Sequence, residues 1–247
     1  MNKLATLLCL SSTLLSSFAV QAGGTWKGNW LVGIDGGLVH DRGELDVTLL
    51  NSNGRQTVVT PRFQDDGWFL GILGGYQWQC NRWLLGAELN VDWFGDNDGD
   101  NNFAYTDASN VGWVGYSEYE HEWLIGLRGR IGYEIATYLL PYAVAGLEWT
   151  DDKLTYRQVN NSTPNATVLS GSSRDSSLRP VVGMGLEVPV PKWNCITLRF
   201  EYDYHFKAER IEVASIAATN GSVETVAASR KPYTQTVYAK AIWNFLK

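Results

Sequence analysis

Residues 83–93, WLLGAELNVDW, decide the fold. Trp83, Leu85, Ala87, Leu89, Val91 and Trp93 alternate with Leu84, Gly86, Glu88, Asn90 and Asp92, a period of two that predicts a strand. One face is apolar and carries an indole at each end; the other carries carboxylates and an amide. A tilted strand of about 9–11 residues crosses the hydrocarbon of a bilayer, and aromatic side chains favour its two interfaces.

The same pattern recurs along the chain. Trp30, Val32, Ile34 and Leu38 oppose Gly33, Asp35 and Gly37; Trp68, Leu70, Ile72, Tyr76 and Trp78 oppose Gly71, Gly75 and Gln77. Trp123, Ile125, Leu127, Ile131 and Tyr133 oppose Gly126, Arg128, Arg130 and Gly132. Further strands set Leu147 and Trp149 against Glu148, Leu178 and Leu186 against Arg179 and Glu187, Leu198 and Phe200 against Arg199, Glu201 and Asp203, and Ala239, Trp243 and Phe245 against Lys240. A soluble sandwich needs an apolar inner face and a wet outer one. Here the apolar face is tall enough for lipid and the other face is charged, so the sheet is expected inside out. It must then close, because an open edge in lipid leaves backbone groups unpaired at several kcal/mol each. The expected fold is all-β, a closed antiparallel eight-stranded transmembrane up-and-down barrel; a soluble lipocalin-like barrel would need an apolar interior.

Three parts of the chain frame that body. Residues 1–22 have a basic start, a short apolar core and Val20-Gln21-Ala22, which predicts a signal peptide removed after Ala22 rather than lipidation at Cys9. Residues 23–247 form the barrel domain. Long polar stretches at 41–66, 95–117, 151–176 and 206–232 are expected as four extracellular loops, and short turns near 79–82, 135–138 and 189–194 as their periplasmic counterparts. With 247 residues, a net charge of −6 and no apolar run beyond the leader that could span as a helix, the chain is neither a helical membrane protein nor an expected nucleic-acid partner.

The chain resembles the OmpA-type, opacity-like family of small outer-membrane barrels over residues 23–247. Gly71-Ile-Leu-Gly-Gly-Tyr76, Leu85-Gly-Ala-Glu-Leu89, Ile125-Gly-Leu-Arg-Gly-Arg-Ile-Gly-Tyr133, Pro141-Tyr-Ala-Val-Ala-Gly146, Gly183-Met-Gly-Leu-Glu187 and Leu198-Arg-Phe-Glu-Tyr-Asp-Tyr204 carry the resemblance. It implies the cell outer membrane, with outer-membrane lipid, lipopolysaccharide and the barrel assembly machinery as partners. That machinery reads a terminal aromatic in such families; Phe245 resembles it, followed here by Leu246 and Lys247.

The candidate sites follow from the two faces. Asp35, Glu88, Asp92, Arg128, Arg130, Glu148, Arg179, Glu187, Arg199, Glu201, Asp203 and Lys240 are expected to form a lumen charge network. Eight strands leave room for little more than side chains, so pairing that plugs the lumen is favoured over a narrow water path. Trp68, Trp78, Trp83, Trp93, Trp123, Tyr133, Trp149, Trp243 and Phe245 are expected as the aromatic girdle. Cys80 and Cys195 fall at two short turns and are a possible disulfide if those turns approach within about 7 Å between Cα atoms. Asp96, Asp98 and Asp100 resemble part of a calcium loop, but Gly99 stands early and Asn101 takes the sixth place, so no metal is expected. The sequons at Asn160 and Asn165 are discounted in a bacterial barrel.

No nucleophile–base pair is visible, so no catalytic residue and no cofactor are expected; a lipid A-modifying enzyme is the weaker alternative, with His40 and His121 on the lipid side by parity. The reading favoured is a surface barrel whose loops make adhesive or host contact, with a narrow porin-like channel as the alternative.

Overall fold

The computed structural model describes residues 26–51, 53–95, 101–160, 168–193, 195–206, 210–219 and 222–245. The expected leader, 1–22, lies outside them, as do Asp96, Asp98 and Asp100 and most of both sequons. Period-two alternation makes twelve strands: β1 (Lys27–Leu50), β2 (Gln56–Val59), β3 (Arg62–Cys80), β4 (Trp83–Phe94), β5 (Asn101–Thr106), β6 (Gly112–Tyr133), β7 (Leu140–Asn160), β8 (Val168–Pro189), β9 (Ile196–His205), β10 (Ile211–Thr219), β11 (Ser222–Arg230) and β12 (Tyr233–Asn244).

Eight of them close a ring in the order β1-β3-β4-β6-β7-β8-β9-β12, and β12 pairs back on β1. Every neighbouring pair is antiparallel. The expected closed, antiparallel, eight-stranded up-and-down barrel is therefore the fold. No edge is left in the lower part of the ring, which is what lipid requires. Ile34, Leu38, Leu127, Leu178 and Met184 point outward and are 64 to 69 % exposed. Side chains of this kind on one continuous wall are stable only against hydrocarbon.

The ring is taller than a bilayer needs. β1, β6, β7 and β8 run 21 to 24 residues, about twice a membrane-crossing strand. The stretches 41–66, 95–117, 151–176 and 206–232, expected as polar loops, are largely paired strand among the described residues. Above the girdle the face code inverts, and on β1 and β7 the parity holds. On β1 the inward side changes from Asp35 and Asp41 to Leu45, Val47 and Leu49, and the outward side from Ile34 and Leu38 to Arg42 and Glu44. On β7 the inward side passes from Glu148 and Asp152 to Leu154 and Tyr156.

The upper storey consists of two four-stranded arrays, β2-β1-β11-β10 and β5-β6-β7-β8. They meet over one apolar core. Leu45, Val47, Leu49, Ile211, Val213, Val226 and Ala228 face Trp113, Tyr119, Leu154, Tyr156 and Leu169. Water lies outside this part of the wall, so burial of an ordinary apolar core stabilises it.

Candidate functional site

The lumen is a stack of polar levels built from inward positions of the ring strands. All twelve residues expected there are buried: seven carboxylates and five cations. At the lowest level Asn29 donates to Asn244 Oδ1 at 3.1 Å, and Gln77 donates to the same oxygen at 3.0 Å. Arg130 joins this level to the next by donating to Gln77 Oε1 at 2.7 Å.

Above it, two arginines and two glutamates make a closed square. Arg199 donates to Glu88 at 2.7 Å and to Glu187 at 2.9 Å. Arg130 completes it, 3.2 Å from Glu88 and paired with Glu187. Arg128 then dominates the next level, reaching Glu148 at 2.6 Å, Asp203 at 2.8 Å, Glu201 at 3.0 Å and the Tyr238 hydroxyl at 2.9 Å. Lys240 pairs with Glu201, and its Nζ lies 4.3 Å from the centre of the Tyr238 ring. Buried charge is tolerated only when paired and hydrogen-bonded, and the contacts above pair Glu88, Glu148, Glu187, Glu201 and Asp203 with Arg128, Arg130, Arg199 and Lys240.

His205 occupies a further level. One ring nitrogen meets Glu148 and the other lies 2.8 Å from Thr236 Oγ1. Hydroxyl, imidazole and carboxylate in that order have the connectivity of a nucleophilic relay. All three are at most 1 % exposed, so the hydroxyl faces packed side chains and not a substrate path. At the top, His121 lies between Asp152, at 2.6 Å, and Asp41, at 3.1 Å. Arg230 caps the column, donating to Asp65 at 2.8 Å and stacking 4.4 Å from the centre of the Tyr119 ring; the apolar core of the upper storey follows.

The His121 group lies above Trp123 and Trp149, outside the lipid-facing band. Burial alone would pull the imidazolium pKa down, but Asp41 and Asp152 outweigh it and hold it up at about 9. Burial pushes the Asp41 carboxyl up, and His121 overrides that to bring it down to about 2. Asp152 is lowered by the same partner against the same desolvation.

The expected sites are placed as follows. Trp68, Trp78, Trp83, Trp93, Tyr133, Trp149, Trp243 and Phe245 point outward as exposed girdle residues, while Trp123 is half-buried. Cys80 is buried and Cys195 half-buried, and both are free, so the possible disulfide is not formed. His121 is not on the lipid side. The pairing register shifts between His121 and Trp123, and a one-residue shift in a strand moves every following side chain to the other face. His40 stays near the outer surface, paired with Asp66 and accepting a hydrogen bond from Arg42 Nε at 2.7 Å. Sequence reading missed Asp41, Asp65, Asp152 and Arg230, because they sit in stretches taken for loops. Their signal was the unbroken alternation on either side of them.

A family model described as outer membrane protein beta-barrel domain matches residues 6–239. No curated protein matches the chain. Among solved structures it is similar to Neisserial surface protein A, at 13 % identity and a TM-score of 0.33, over 85 % of this chain and 98 % of that one. Ail, the attachment invasion locus protein of Yersinia pestis, solved with the heparin analogue sucrose octasulfate, matches at 12 % identity and a TM-score of 0.31, over 83 % and 98 %. OprG from Pseudomonas aeruginosa matches at 10 % identity and a TM-score of 0.44, over 89 % and 98 %.

Proposed function

The chain belongs to the outer membrane β-barrel domain family, and from that membership we propose that it works as a closed, non-conducting barrel whose upper storey is a contact surface at the cell exterior. The observation that carries this reading is the reach of Arg128, which from β6 holds Glu148 on β7, Glu201 and Asp203 on β9 and Tyr238 on β12, and so ties four ring strands together across the lumen. An ion moving past this level would have to break several charge-assisted hydrogen bonds at once. The apolar core above adds a second seal and makes the projecting part rigid, as a scaffold for surface contact needs to be.

Outer-membrane lipid, lipopolysaccharide and the assembly machinery are the partners proposed with this placement, and a host-surface ligand is the partner proposed for the upper storey. The test pairs two measurements on one protein. Purified protein in planar bilayers is expected to give little or no steady conductance. Bacteria displaying it are expected to bind host cells, and replacing residues 161–167 with a Gly-Ser linker is expected to reduce that binding while the barrel still folds. Large steady conductance overturns the closed-lumen half; attachment equal to that of cells lacking the protein overturns the contact half.

A further inference from the structure

We propose that the outer wall along the β1–β12 seam seats one phosphorylated glycolipid of the outer leaflet, with its phosphate in a basic cleft above the girdle and an acyl chain in a groove of small residues below. This rests on the orientation taken above, with the upper storey outside the cell.

The cleft exists because β1 changes partner. It pairs β12 up to Arg42↔Tyr233 and β11 from Leu45↔Arg230. The break between β11 and β12 at Lys231 and Pro232, together with the start of β3 at Arg62, interrupts the wall there. The resulting cleft of about 760 Å³ is lined by Arg42, Arg62, Arg210 and Lys231, with Glu44 and Asp46. Arg62 lies 3.2 Å from Glu44, and Arg210 lies 3.3 Å from Asp46. Arg42 instead donates to a ring nitrogen of His40, and neither it nor Lys231 is in an ion pair among the described residues. Two cations in one concave site are thus left for an external anion. Arginine and lysine beside a low-dielectric boundary bind phosphate through charge-assisted hydrogen bonds.

The height fits a headgroup. Arg42 stands four residues above Leu38 and Lys231 six above Val237, the nearest outward aliphatic positions below them on β1 and β12. At a rise of about 3.4 Å per residue and a tilt near 40°, those steps are roughly 10 and 15 Å.

A second, independent feature lies on the same seam. Gly36 pairs with Ala239 and Ile34 with Ala241, leaving a shallow groove of about 320 Å³ on the lipid side, walled by Leu70, Leu198 and Phe200. It begins six positions below the cleft, about 15 Å along the wall. A soluble polyanion would leave this groove unused; a lipid fills both features with one molecule.

The experiment uses the folded full-length protein in micelles and native mass spectrometry. The probes are diphosphorylated lipid A, its dephosphorylated form and inorganic phosphate. Wild type is expected to bind the diphosphorylated lipid at one copy per chain. Arg42→Ala with Lys231→Ala is expected to weaken that binding at least tenfold, Ala239→Trp is expected to weaken it by filling the groove, and Lys192→Ala at the far turn is expected to leave it unchanged. Each variant is first checked for the heat-shifted gel migration of a folded barrel. Affinity within twofold of wild type in the double variant overturns the proposal, as does equal affinity for the dephosphorylated lipid. Inorganic phosphate displacing the lipid at equal concentration also overturns it, since the cleft would then be a phosphate site without a tail. None of these variants touches the lumen, so conductance reads separately.

Discussion

Arg199 Nη1 lies 2.7 Å from Glu88 Oε1, although 111 residues separate them in the chain. The contact spans the lumen from β9 to β4, and Arg199 and Arg130 together neutralise Glu88 and Glu187. Two positive and two negative groups share one buried level with no excess of either sign.

That balance makes single and paired substitutions differ in direction. Arg199→Met leaves two buried carboxylates on one guanidinium, and removing one partner of a buried pair costs about 3–5 kcal/mol. Adding Glu88→Gln restores one charge of each sign and is expected to recover much of that loss. Urea unfolding followed by heat-modifiable gel mobility checks it. A double variant as unstable as the single one would refute the charge-balance account.

The membrane band was legible in the sequence because lipid outside and charge inside put opposite chemistries on alternate residues. Trp83 to Trp93 shows this over a single strand. The upper storey was not legible for a related reason. There the outward face is polar, so the average composition of 151–176 reads as a loop even though Leu154 and Tyr156 alternate with Lys153, Thr155 and Arg157. His121 was assigned to the wrong face because a register shift is a backbone event that residue types do not reveal. Thr150, Ser177 and Thr234, buried on the lumen side, are not marked out by the sequence because small hydroxyl residues are as common outside a barrel as in one.

The upper storey's own core predicts a separable stability. Trp113 is 1 % exposed among residues of both arrays, and its indole donates to Asp107 at 3.3 Å. Trp113→Ala is expected to cost about 3–5 kcal/mol locally. Limited proteolysis should then cut the upper-storey segments while the lipid-embedded strands stay protected. Cleavage unchanged from wild type would mean that the two storeys do not unfold separately.

Seam closure depends on a glycine. A Cβ on Gly37 would lie 1.9 Å from the Val237 carbonyl oxygen, a backbone atom of the partner strand, whereas one on Gly129 would lie 3.7 Å from the Ala145 carbonyl oxygen. Gly37→Ala is therefore expected to force β1 and β12 apart at a cost of roughly 1–3 kcal/mol, and Gly129→Ala to be nearly neutral. Folding yield into detergent for the two variants checks the contrast; equal yields would contradict it.

The pH dependence of the junction below the upper storey follows from His121. Its folded pKa of about 9 stands above its ordinary value of 6.5, so the stability it contributes is complete below pH 6.5 and is lost as pH rises through 9. Asp41, lowered from 3.8 to about 2, works in the opposite sense: its contribution is complete above pH 3.8 and is lost as pH falls through 2. Between pH 4 and 6.5 the Asp41–His121–Asp152 group is fully charged and the junction between lumen and apolar core is tightest. His121→Gln removes the proton that responds at alkaline pH. Hydrogen exchange of the β6–β7 pairing around Tyr119 and Leu154 should therefore accelerate between pH 6.5 and 9 in wild type, after correction for intrinsic exchange, and stay flat in the variant. A wild-type profile as flat as the variant's would show that His121 does not change charge over this range and would refute the prediction.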